Sequence, residues 1–152
     1  MKIITWHGKT SQPVESFDHI RDTYLELRDF ANHGPFYGEH SACIALHHSQ
    51  VSDAPLNFFV FSEASKELSN DVLIINPEIV SLQGRRYTVK EGCMSWPFRK
   101  SKNVQRHIEA KVRYQVPDGD GLKTVEREVG GWLAVVFQHE IDHAKGKTIY
   151  DG

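Results

Sequence analysis

The stretch WLAVVFQHEIDHAK, residues 132–145, constrains the fold more than any other. Wound as a helix, its first six residues are apolar on nearly every side, and polar residues follow at selected positions. A helix apolar all round is normally buried, so the rest of the chain must build a shell around it. Gly146 suits the C-terminal cap. The shell is legible upstream. Ile108, Ala110, Val112, Tyr114 and Val116 alternate with Glu109, Lys111, Arg113 and Gln115, the period of a strand with one buried and one wet face. PDGDG (117–121) is a turn, and LKTVEREV (122–129) returns as the hairpin partner. LNFFVF (56–61) and DVLIINP (71–77) read as strands, the second ended by Asn76-Pro77. Residues 85–97 are strand-like until Gly92, and Gly92 and Pro97 bracket a sharp loop. Residues 17–31 form an amphipathic helix, with Ile20, Tyr24, Leu27 and Ala31 on one face, Ser16 as N-cap and Asp18 in the first turn. NHGPFYGEH (32–40) breaks that helix as a loop. The expected fold is α+β: antiparallel β-sheets packed around a central buried helix carrying HEIDH, with an additional N-terminal helix. Residues 1–152 are the usual size of one domain.

Composition narrows the function by exclusion. A formal charge of −2 gives no reason to expect nucleic acid or an anionic membrane as partner. No apolar run reaches signal-peptide or membrane-span length, so the expected location is the cytoplasm. Two cysteines make no disulfide framework.

HEIDH, residues 139–143, places two imidazoles at i and i+4 on one helical face, within reach of one ion. Glu140, one step round, is positioned to handle the proton of a bound water. Burying such groups without partners is costly, and a cation compensates. A hydrolytic site usually needs a third protein ligand. Only nine residues follow His143, so that ligand is sought upstream, among Cys93, Cys43, His47, His48 and Glu91. Val135 and Val136 precede His139 by four and three residues, so they share its face and suit an apolar pocket.

Glu91-Gly92-Cys93-Met94-Ser95 and Gln138-His139-Glu140-Ile141-Asp142-His143 together resemble the EGCxS and QHExDH motifs of the peptide deformylases, and INPEIV (75–80) and the intervening hairpin add to the likeness. It runs from about residue 73 to 150 and is weak over the first 40 residues. The family's GxGLAAxQ motif aligns with residues 43–50. Leu46 and Gln50 match, while Cys43 and Ala45 replace the glycines and His47-His48 replace the alanines. The sequence stops soon after HEIDH without the C-terminal helix that bacterial members use on the ribosome. It is therefore similar to short, divergent members of phage or organelles, with the bacterial host cytoplasm as the location if phage-encoded.

The resemblance implies one catalytic domain that removes the formyl group from N-formylmethionyl peptides or nascent chains. Cys93, His139 and His143 would hold one divalent metal, Fe(II) natively, with Zn or Ni possible, and water as the fourth ligand. Glu140 would take the water's proton and deliver one to the leaving amine. The Gln50 amide and the Met94 backbone N–H would steady the oxyanion. Ile44 aligns with the methionine pocket, joined by Val135, Val136 and Glu91. Glu91 would also orient the cysteine loop or a histidine N–H, and Asp142 would pair with Arg106 behind the metal. A small HExxH metallopeptidase and a non-catalytic metal- or peptide-binding domain are the competing readings.

Overall fold

The computed structural model describes residues 1–34, 43–96 and 99–151. Five strands, β1 (Ala45–His47), β2 (Phe58–Phe61), β3 (Leu73–Glu91), β4 (Lys102–Asp118) and β5 (Gly121–Gly130), form one antiparallel sheet in sequence order. Helix α1 (Phe17–His33) and helix α2 (Gly131–Ala144) complete an α+β fold. Among the described residues no helix is long and apolar enough to cross a membrane.

β2 explains the layering. All four of its residues are buried. Phe58 and Val60 pack with Ile20, Leu27 and Phe30 of α1. Phe59 and Phe61, on the other face, pack with Phe137 and Ile141 of α2. A strand buried on both sides cannot alternate, which is why LNFFVF reads as one apolar run. Phe137 meets Phe59 and Tyr114 at ring-centroid distances of 5.6 Å each, and Phe61 at 6.3 Å. In β4 the alternation is clean at its centre, where Ala110, Val112 and Tyr114 are buried.

Asn76-Pro77 does not end a strand. β3 runs on for 19 residues through a register shift between Ile75 and Glu78, with further shifts at Ile79/Ser81 and Gln83/Arg86. Such bulges bend a strand while keeping its pairing. Asn76 takes φ 49°, which asparagine tolerates better than most residues. Its side chain accepts from Val14 N and donates to Val14 O, at 2.8 Å each, so it ties the N-terminal segment to the sheet.

Helix α1 continues two residues past the expected end, through Asn32 and His33. Ser16 stands at its N-cap without a capping side-chain bond, and Tyr24 is half-buried rather than buried. The remainder of the expected 32–40 loop beyond Gly34, and Pro97, lie outside the described residues. Gly146 follows α2 with φ +81°, and its N–H reaches His143 O at 3.0 Å, closing the helix as glycine does after a C-cap.

Candidate metal centre and cleft

Cys93 lies just past the end of β3, in the connection to β4, and His139 and His143 project from one face of α2. Their ligand-type atoms lie within 4.8 Å of one another, and no other such group occurs among the described residues. His139 Nε2 and His143 Nε2 are 3.0 Å apart, and Cys93 Sγ is 3.6 Å from His143 Nε2.

The outer ring atoms fix which atoms converge. His143 Nδ1 donates to Lys147 O at 3.0 Å, and His139 Nδ1 to Glu91 Oε1 at 2.7 Å. A carbonyl and a carboxylate only accept, so each Nδ1 carries hydrogen and each neutral ring presents a bare Nε2 lone pair inward. Two lone pairs and a thiol sulfur facing each other at these distances need a cation or a proton between them. Burial lowers both histidines, yet hydrogen bonds to Cys93 and Glu91 and the charge of Glu140 raise His139 to about 10. Burial, then the charge of His139, holds His143 well below its ordinary value. The donor set, one thiolate and two imidazoles, fits Zn, Fe(II) or Ni(II).

Behind the rings is a fixed charge network. Burial alone would raise Glu91, but hydrogen bonds from Arg106 and His139 pull it to about 2. Arg106 grips it with two bonds, Nε to Oε2 at 2.7 Å and Nη2 to Oε1 at 2.9 Å, and sends Nη1 to Asp142 Oδ2 at 3.0 Å. Glu91 borders the cleft, and both its oxygens already accept hydrogen bonds, from Arg106 and His139. Gln138 pins α2 to β4: its Oε1 accepts from His107 N at 3.0 Å and its Nε2 donates to His107 O at 2.9 Å.

Glu140 is 3% exposed and its Oε2 is buried without a partner. Burial raises it to about 7, against the pull of His139. Gln50 closes a 3-10 turn after β1, where its Oε1 accepts from His47 N at 3.0 Å and its Nε2 donates to Ser95 Oγ at 3.2 Å. The side chain therefore reaches the cysteine turn although both glycines of the aligned motif are replaced. Gln50, Glu140, His139 and Met94 border a cleft of ≈ 230 Å³. That is below the roughly 300–1,000 Å³ of sites for drug-sized ligands and suits a single side chain. Ile44, Val135 and Val136 form its apolar wall with Trp132. Trp132, three residues before Val135 and seven before His139, was findable from the same helical spacing.

The remaining upstream candidates are engaged elsewhere. His47 Nδ1 accepts from Ser49 N at 3.1 Å, and its Nε2 faces Asn57 Oδ1 at 3.2 Å. His48 Nδ1 accepts from Leu56 N at 2.9 Å, and its ring stacks on Phe58. Burial, then the charge of Glu140, pushes the Cys43 thiol up to about 12, so it stays protonated in the core. The residues that sequence reasoning missed are long-range ones. Ser95 holds Gln50, the Lys147 carbonyl holds His143, and Trp6 packs tilted on the His143 ring at 5.2 Å.

Known proteins resemble this chain over nearly its whole length. The sequence model of the polypeptide deformylase family matches residues 7–152. A peptide deformylase of Syntrophobacter fumaroxidans is 46% identical over 140 residues, which is 92% of this chain and 78% of that protein. The crystal structure of peptide deformylase from Thermotoga maritima matches with TM-score 0.79 at 29% identity, covering 99% of this chain and 95% of that one. That of a probable peptide deformylase from Synechococcus phage S-SSM7 also gives 0.79, at 27% identity, covering 99% and 98%. Members of the family are metal-dependent enzymes, and this chain belongs to the peptide deformylase family.

Proposed function

We propose that the chain, acting as one catalytic domain, hydrolyses the formyl amide of N-formylmethionyl peptides and nascent chains, with Glu140 as general base and acid. The observation that carries this reading is the buried, unpartnered Oε2 of Glu140 beside three convergent donors, Cys93, His139 and His143. Cys93, His139 and His143 would hold a divalent metal, which would supply Lewis acidity to lower the pKa of water and polarise a carbonyl. Fe(II) is the proposed native ion, with Zn or Ni as substitutes.

This chain's own groups do the rest. Burial keeps Glu140 near pH 7, where one carboxyl can both take and give a proton. Its Oε2 receives the proton of the attacking water and passes it to the amine nitrogen as the C–N bond breaks, releasing formate and a free N-terminus. Gln50 Nε2 has two hydrogens and Ser95 takes one. The other, with Met94 N–H, donates to the carbonyl oxygen as it gains charge; one such donor contributes roughly 3 kcal/mol. Ile44, Val135 and Val136 seat the methionine side chain. Glu91, Arg106 and Asp142 keep His139 in the tautomer that turns Nε2 inward.

The test is a deformylation assay on a formyl-Met peptide, with protein purified anaerobically and reconstituted with Fe(II), Ni(II) or Zn(II). Turnover with at least one metal is expected. Silence with all three would sink the reading.

A further inference from the structure

Gln50 and His143 stand on opposite sides of the site, on segments far apart in sequence, and residues 4–11 touch both. On the glutamine side, Ile4 N donates to Gln50 O at 3.0 Å. His7 Nε2 lies 2.9 Å from both Ser49 O and Ser52 O, the carbonyls flanking the turn that carries Gln50. Carbonyls only accept, so Nε2 carries hydrogen, and Nδ1 accepts from Lys9 N at 2.9 Å. The tautomer and both ring edges of His7 are thereby fixed. On the histidine side, Ser11 N donates to Ala144 O at 2.8 Å. A Cβ on Gly146 would fall 2.3 Å from Gly8 O, so the strands of chain there are in backbone contact. Trp6 joins the halves. Its ring stacks on His7 (5.1 Å, 18°) and packs on His143 (5.2 Å, 55°). Its indole N–H is buried with no acceptor, so the ring is held there by packing alone.

We infer that residues 4–11 are a strap that sets the distance between Gln50 and His143, with Trp6 the positioning residue for His143 and His7 that for Gln50. The proposal rests on the roles given to Gln50 and His143 above. Glu91 and the Lys147 carbonyl fix how the two imidazoles are rotated, but neither reaches the Gln50 turn. Ser95 reaches Gln50 from the cysteine side only. The turn and α2 also touch directly, and the strap adds hydrogen bonds to the turn and to the end of α2.

The two residues should fail differently. In nickel-loaded full-length protein, Trp6→Ala is expected to release Ni(II) to a chelator about tenfold faster, since the ring orienting a ligand is gone. Trp6→Phe keeps a ring and should stay near the parent rate. His7→Ala should lower kcat on formyl-Met peptide about tenfold, because a small misplacement of a donor costs rate, with KM and Ni(II) release near parent. His7→Gln retains an N–H for the carbonyls and should recover kcat. Parent-like Ni(II) release in folded Trp6→Ala, or parent-like kcat in folded His7→Ala, overturns the proposal. Where an alanine variant does not fold by circular dichroism, Gly146→Ala, which displaces the strap without removing a strap side chain, is read the same way. Parent-like release and kcat in it overturn the proposal too. If the parent protein itself turns over no formyl peptide, the functional reading fails, while Ni(II) release still decides whether the strap holds His143.

Discussion

His47, His48 and His143 are buried and His139 is half-buried, yet only His139 and His143 turn free lone pairs toward a common point. His47 and His48 are adjacent; His139 and His143 are one helical turn apart. His47 and His143 are equally inaccessible, both at 0% exposure. The difference lies in which ring atom is engaged by the protein. His47 and His48 each give the Nδ1 lone pair to a backbone N–H. His139 and His143 each give the Nδ1 hydrogen to an acceptor and keep the Nε2 lone pair. Residue type and burial therefore do not identify a ligand; the leftover lone pair does.

The contrast is sharpest when the pairs are removed in turn. Cys93→Ala or His143→Ala should abolish stoichiometric metal binding, measured by elemental analysis after dialysis, whereas His47→Ala should leave it intact. Equal metal loss in both sets would erase the distinction. Glu140→Gln, next in size, should lower deformylase turnover roughly 10²–10⁴-fold while metal content is unchanged. Metal loss there would make Glu140 a ligand. Arg106→Leu leaves Glu91 buried without its cation, which should cost about 3 kcal/mol in denaturant unfolding and weaken metal affinity by roughly tenfold or more.

The pairs also differ in their response to pH. Burial lowers His47 from 6.5 to about 3, so between those values the unfolded chain binds a proton that the folded chain does not. Stability is therefore present above pH 6.5 and lost as pH falls toward 3. His48, lowered to about 4 by burial, acts in the same direction. His47→Gln should flatten part of that slope in urea titrations at pH 4 to 7. An unchanged slope would show that His47 is charged in the folded state.

Much of this was readable from local pattern. The HEIDH face, the burial of α2, the β4–β5 hairpin and the cysteine motif all repeat or cluster within a few residues, where spacing alone dictates geometry. Asn76-Pro77 misled because a strand-ending pair and a bulge use the same residues; only the partner strand's register tells them apart. β1 has three residues, too few to show a period. Glu91 borders the cleft, but the partners of its carboxylate, Arg106 and His139, lie 15 and 48 residues away, beyond any local pattern. Contacts such as Trp6 on His143 carry no local signature, since nothing in WHGK announces a partner 137 positions on.

The order of the sheet bears on how the centre is assembled. Every strand pairs with the next one in the chain, so the meander can zip up progressively as it leaves the ribosome, without waiting for distant partners. Helix α2 comes after all five strands, and until it seats, Phe59, Phe61 and Tyr114 have no cover on that face. Cys93 and Gln50 then exist without their histidines. Capture of a metal by the proposed centre would thus report completed folding, since a nascent chain lacking its last twenty or so residues has neither His139 nor His143.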